Sequence, residues 1–176
     1  MNIDVAVVTH AIPNNRYSLK NLEGHKRIDI IMRNALAALR NGSATIERFH
    51  AVFTQGGILT LHRNDYDYDM LDEIALAAVL QKNWNRHFTE TTFNEFLEGF
   101  TQRTALILQK DASPFSTIFL QGDAIAFLGA KLDIPEDYLT AIKTTLPTAY
   151  ASLGDRELLA SQVIGVMRIL LEDREK

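Results

Sequence analysis

Short β-branched runs alternate along this chain with segments whose apolar residues recur at helical spacing. That alternation is the strongest limit on what the chain can fold into. Residues 3–9, IDVAVVT, read as a first strand. Ile28, Ile31, Met32, Ala35, Leu36 and Leu39 then mark one face of a helix that Asn41-Gly42 closes. Residues 49–54 and 58–61 flank Gln55-Gly56-Gly57 and predict a hairpin. A second helix is expected to bury Leu71, Ile74, Ala75, Ala78 and Val79, with Asp72 and Glu73 favouring its N-terminal end. Thr92 and Glu95 have capping-box spacing and open a helix of about ten residues. Residues 105–108, 117–120 and 149–153 read as late strands. Pro135 suits the first turn of a short helix through Tyr138 and Ile142. A final helix is expected to bury Leu159, Val163, Val166 and Leu170. Such an order predicts an α/β fold with a mainly parallel sheet flanked by helices. No linker interrupts the chain, so residues 1–176 read as a single domain.

Composition narrows the chemistry. Cysteine is absent from the 176 residues, which excludes disulfides, thiolate metal sites and a thiol nucleophile. The five histidines are scattered without an i, i+4 pair, so no metal site is expected. There is no G-x-G-x-x-G after the first strand, no Walker A loop, no G-x-S-x-G and no H-E-x-x-H. No apolar run is long enough to span a bilayer. The opening MNIDVAVVTH lacks a basic n-region, so a soluble, cytoplasmic protein without membrane attachment is expected. The net charge is −4, but it is unevenly spread. Residues 1–63 hold eight Lys/Arg against four Asp/Glu, and residues 64–176 hold ten against eighteen. That excess could set a local basic face against a polyanion, or be a solvated surface.

Three late segments stand out: ALILQKD at 105–111, TIFLQGDA at 117–124 and AYASLGDRELLA at 149–160. Each reads as a strand running into a small or polar loop. Ligands of open α/β sheets bind at the carboxyl ends of strands. Glycine in such loops lets a ligand approach the backbone, and it also serves simply as a turn residue.

The order of these segments resembles the SPOUT superfamily of S-adenosylmethionine-dependent RNA methyltransferases, and within it the tRNA pseudouridine N1-methyltransferase (TrmY-type) family. YSLKNLEGHKRIDIIMR at 17–33 is similar to that family's S-L-x-D-L-P-G…R-L-D-x-L-x-R segment. LDEIALAAVLQK at 71–82 stands where the family has P-D-E-R-x-x-A-x-L-I-K-K. FLQGDA at 119–124 resembles its strand followed by Gly-Asp-His, and SLGDRELLASQVIGVMRILLED at 152–173 resembles its last motif.

The resemblance implies a C-terminal deep trefoil knot, an exception to the rule that folds avoid knots. It also implies a homodimer, S-adenosyl-L-methionine as cofactor and an RNA substrate, with tRNA foremost. Carried over, the cofactor-binding residues are Leu108, Gly122, Asp123, Ser152, Leu153, Gly154, Leu158 and Val163. Methylation at a ring N–H requires loss of its proton, and a carboxylate can assist. Asp29 is the candidate catalytic carboxylate, with Arg27 beside it; the other reading of Asp29 is a first-turn residue favoured by the helix dipole. Arg16, Lys20, Lys26 and Arg33 are the candidate RNA contacts.

The chain also departs from the family. Ala124 replaces the His of Gly-Asp-His, Gln162 stands where the last motif has its first His, and Ile74 replaces the Arg of Asp-Glu-Arg. Residues 127–131 read as an insertion after Gly122-Asp123. Two functions therefore stay open: an RNA methyltransferase, and a non-catalytic SPOUT-like protein that binds the cofactor, RNA or a protein partner.

Overall fold

The structure is a computed structural model that describes residues 2–40, 46–118, 120, 122–154 and 158–174. Its elements are β1 (Ile3–Thr9), α1 (Ile28–Leu39), β2 (Ile46–Phe53), β3 (Ile58–His62), α2 (Glu73–His87), β4 (Phe88–Thr89), α3 (Phe93–Glu98), β5 (Thr104–Leu108), β6 (Ala124–Gly129), α4 (Glu136–Thr145), β7 (Thr148–Ala151) and α5 (Ala160–Arg174). The strands make one sheet in the order β4-β3-β2-β1-β6-β5-β7. β2, β1, β6, β5 and β7 run parallel, and β3 and β4 extend the sheet antiparallel at one edge.

Every residue of β1 is buried, as a central strand covered on both faces requires. Its side chains alternate between two cores. Ile3, Val5 and Val7 join the core under α1, α2 and α5. Ala6 and Val8 join the core under α3 and α4. Arg168 of α5 donates from Nη1 to the carbonyls of Ala37 (3.3 Å) and Arg40 (3.2 Å), which ties α5 to the C-terminal end of α1. A cation there also suits the negative end of the helix dipole.

The two-glycine hairpin is present, with Gly56 at φ 105° and Gly57 at φ 88°. The capping box at Thr92 is also present, but α3 is only six residues long. Three expectations are corrected. The buried face of α2 is Leu76, Ala77, Leu80 and Trp84, while Ile74 is 54% exposed. In α5 the buried residues are Ala160, Ile164, Met167 and Leu171, one position on from the expected set, and Leu159 is 63% exposed. No strand forms at 117–120 among the described residues. Phe115–Thr117 is a single 3₁₀ turn whose buried Phe115 anchors the loop to the core. The strand lies further on, at β6, whose last three residues fall in the stretch that reads as an insertion. Asn41-Gly42 and Phe119 lie outside the described residues.

Candidate ligand site

The carboxyl ends of β1, β6, β5 and β7 open on one side of the sheet, and the loops that follow them meet there. Two devices fix the β5 and β7 loops against each other. Ser152 N donates to Ser113 O and Phe115 N donates to Ser152 O, both at 2.8 Å. The Ser152 hydroxyl donates to Lys110 O (2.8 Å) and accepts from Gly154 N (3.1 Å). Gly154 sits at φ 115°, which a side chain would disfavour, so glycine here turns the chain from β7 toward α5.

These loops frame adjoining hollows. One of about 140 Å³ brings Leu108, Leu153, Gly154, Leu158 and Val163 together, five of the eight residues expected to bind a cofactor. A neighbour of about 350 Å³ adds Ser152 beside Lys110 and Phe115. The largest, about 680 Å³, shares Leu108, Leu158 and Val163 and is completed by Gly129, Asp133 and Glu136 of the loop from β6 into α4. That volume lies within the ~300–1,000 Å³ typical of small-molecule sites. Its walls are apolar at Leu108, Leu139, Leu158 and Val163, and Asp133 and Glu136 add carboxylates.

Gly122 and Asp123 do not join this group. They precede β6 instead of following a strand. Asp123 O accepts from Thr104 N and its Oδ1 from Asn2 N, both at the amino end of the sheet. The six residues of β6, about 20 Å at ~3.3 Å each, separate Asp123 from the loop that follows Gly129. The loop after β6 brings Gly129 and Asp133 to the hollows instead. The signal was in the chain: FLGAKLD at 127–133 is itself a strand running into a glycine loop. A Cβ on Gly129 would lie 1.8 Å from Leu132 O, so only glycine permits this loop to fold back so tightly.

Beside these hollows lies another of about 330 Å³, which shares Gly129, Asp133 and Leu158 with the largest and is walled on its far side by α1. Arg27, Arg33 and Lys131 supply its positive charge. Arg27 occupies the position before α1 in the left-handed region (φ 69°, ψ 43°). Its guanidinium donates to both carboxylate oxygens of Asp29, Nε to Oδ1 at 3.0 Å and Nη2 to Oδ2 at 2.9 Å. This hydrogen bonding, with the carboxylate charge, holds the Arg27 pKa above its ordinary value. Arg33 lies 3.9 Å from Asp29 Oδ2 and pairs with Glu73 through Nε at 2.8 Å. Asp29 is 4% exposed with both oxygens engaged by Arg27, and it braces the two arginines. Arg16, Lys20 and Lys26 are exposed on the loop from β1 into α1, and only Arg33 of the four expected RNA contacts lines the hollow. Tyr17 OH donates to Ala77 O at 2.8 Å and Asn15 Nδ2 to Gln81 O at 2.9 Å, pinning that loop to α2.

Among the described residues no group of three or more His, Asp or Glu is placed to hold a metal ion. No described helix is long and apolar enough to cross a membrane.

No protein-family model matches the sequence, and no curated protein matches it. Solved structures do match the fold. Archaeoglobus fulgidus Nep1, solved with S-adenosylhomocysteine, superposes with a TM-score of 0.69 at 14% identity, over 99% of this chain and 98% of that one. Lpg2936 of Legionella pneumophila, a methyltransferase candidate solved with SAM, superposes at 0.53 and 10% identity, over 99% of this chain and 66% of that one.

Proposed function

We propose that the chain is an S-adenosylmethionine-dependent RNA methyltransferase with a SPOUT-type fold. The observation that carries this reading is the convergence of the loops after β5, β6 and β7 on adjoining hollows, in a fold shared with two proteins solved with SAM or its product. Residues of the chain fit the cofactor. Leu108, Leu139, Leu158 and Val163 would enclose the adenine, and backbone groups at 108–110 and 153–154 would take its polar edge. Asp133 and Glu136 would accept ribose hydroxyls or pair with the amino group of the methionine moiety. Bound there, S-adenosylmethionine supplies an electrophilic methyl group on a sulfonium centre.

The target base would enter the hollow beside α1. Arg27 and Arg33 would hold its phosphates, and Lys131 would add charge from the other wall. Asp29 would fix Arg27 in place, a positioning role. Holding the nucleophile close and in line supplies most of such a rate enhancement. Arg16, Lys20 and Lys26 would extend the basic face along the RNA, with tRNA and pseudouridine N1 as the substrate that the sequence resemblance implies.

The same reading includes a knotted C-terminus and a homodimer. The clasp of Ser152 by residues 110–115, and the return of α5 onto α1, support a chain that threads under its own loop. Exposed Ile169 on α5, with Leu159 exposed just before that helix, supports a face covered by a second copy. Incubation with tritiated S-adenosylmethionine and unmodified tRNA transcripts carrying pseudouridine tests the activity. Label in RNA, lost in Arg27→Ala, supports the proposal. Cofactor binding with no label in any RNA would favour the non-catalytic SPOUT-like alternative, which the departures at Ala124 and Gln162 suggest.

A further inference from the structure

Lys82 and Arg86 of α2 have no part in the proposed function, yet the fold sets them beside residues that do. Asn15 Nδ2 donates to Gln81 O at 2.9 Å, and Gln81 Nε2 donates back to Tyr17 O. These bonds bracket Arg16 and bring it alongside Lys82. Trp84, between the two α2 cations, packs with its ring 6.2 Å from that of Phe53, the last residue of β2. This half of α2 therefore lies on the same side of the sheet as the hollows. Tyr17 and Leu22 are buried, so the loop that carries Arg16, Lys20 and Lys26 is anchored at two points. Lys26 directly precedes Arg27, which lines the hollow beside α1. Exposed cations thus run from that hollow along the loop and onto α2.

Charge sorts the same way. Residues 10–27 and 74–87 together hold six Lys/Arg and a single acid, Glu23. The other 144 residues hold twelve Lys/Arg against twenty-one Asp/Glu. Arg16, Lys20, Lys26 and Lys82 enter no ion pair among the described residues. Arg86 meets Asp65 at 3.4 Å, with its own side chain 63% exposed. The helix dipole accounts for cations in the last turn of α2, which Arg86 and His87 occupy and Lys82 does not. Arg86 stands four residues on from Lys82, where a like charge is unfavourable and a carboxylate would be favourable. One sign of charge is thus gathered on an anchored frame within an acidic body, the arrangement that suits a polyanion. We infer that the 10–27 loop and the second half of α2 form one track that grips the RNA backbone beyond the target nucleotide, with Lys82 and Arg86 as phosphate contacts. The track favours a polynucleotide over a free nucleotide and reads no base sequence. The inference rests on the proposed function for the identity of the polyanion, and it adds where the flanking chain lies.

The test is fluorescence anisotropy of a labelled tRNA transcript with the purified full chain, at about 50 to 200 mM salt, the range over which phosphate contacts dominate affinity. The Lys82→Gln, Arg86→Gln double variant removes two phosphate contacts and should flatten the slope of log affinity against log salt by about 1.5. Taken from about 1 M salt, where counterion release contributes nothing, that slope change is about a thirtyfold loss of affinity at about 0.1 M. Both side chains are exposed, so the variant should fold as the wild type does. Lys143→Gln, an exposed charge on α4 across the sheet, should leave affinity and slope unchanged. A double variant that binds tRNA as the wild type does, while Arg27→Ala binds weakly, would overturn the track and leave the proposed function standing. An equal loss in Lys143→Gln would reduce the effect to net charge and overturn it as well. Polyglutamate that competes as well as unlabelled tRNA would assign the patch to an acidic protein partner, against the inference. A wild type that binds no tRNA at the lowest salt would remove the RNA substrate from the proposed function, and the track with it.

Discussion

The Arg27–Asp29 pair gives the sharpest mutational prediction, because one carboxylate holds both a strained backbone and a charge that faces the ligand hollow. Arg27 adopts a left-handed conformation that costs a non-glycine residue about 1–2 kcal/mol. Its bidentate contact to Asp29 offsets that cost. The Asp29 side chain is 6% exposed and the Arg27 side chain 38% exposed, so the pair lies between two limits. Exposed pairs contribute about 0–1 kcal/mol, and breaking a buried pair costs about 3–5 kcal/mol. Asp29→Asn should therefore lower stability by about 2 kcal/mol, or about 4–8 °C in Tm for a domain of this size. Urea denaturation of Asp29→Asn, Arg27→Gln and the double variant, read with methyl transfer, tests the role. If Asp29 acts through Arg27, the double variant loses no more stability or transfer rate than the worse single variant. Additive losses in transfer rate would mean that Asp29 acts on the substrate independently, as a base, and would refute the brace.

Asp4 is fully buried and accepts from Arg48 Nη2 at 2.8 Å and Arg103 Nη1 at 2.9 Å, so Asp4→Asn strands two cations and should cost about 3–5 kcal/mol by urea denaturation; a loss under 1 kcal/mol would contradict that geometry. Gly129→Ala should displace the 130–133 loop and abolish cofactor binding in a protein that still gives a native circular dichroism spectrum; unchanged binding would detach this loop from the site. Stability should fall on acidification. Burial lowers the pKa of His50, His87 and His25, so as pH drops below the ordinary ~6.5 the unfolded chain takes up protons first. Burial alone would raise the Asp4 pKa, but His50 and Arg48 outweigh it and lower it, so its contribution is lost only at still lower pH, below the ordinary range of about 3.9, as pH passes through the folded value. The urea midpoint should be lower at pH 5.5 than at pH 7.5, with the difference reduced in His50→Gln; equal midpoints would contradict the burial of these rings.

Strand and helix order was largely legible in the sequence, because β1, α1 and the β2–β3 hairpin carry strong local patterns. The phase of α2 and α5 was not. In α5 the sets Leu159, Val163, Val166, Leu170 and Ala160, Ile164, Met167, Leu171 are both apolar at helical spacing, and only packing against α1 selects the second. β6 was hidden for a related reason. A strand buried on both faces has no alternation, and AIAFLG competes poorly with the β-prone residues 117–120. Taking Gly122-Asp123 as the turn after a strand pushed the real loop at Gly129 into an apparent insertion. Leu108, Ser152, Leu153, Gly154, Leu158 and Val163 meet around the hollows because their loops follow β5 and β7, which were placed correctly.

On the proposed function, the hollows at the carboxyl ends of β5, β6 and β7 hold S-adenosylmethionine. Calorimetric titration of the wild type and of Val163→Trp tests it most directly. Val163 borders two of the hollows and is only partly buried, so an indole there would fill the site. Micromolar binding to the wild type and none to the variant is expected, with both proteins giving a native circular dichroism spectrum. No heat of binding to the wild type at millimolar cofactor would contradict it.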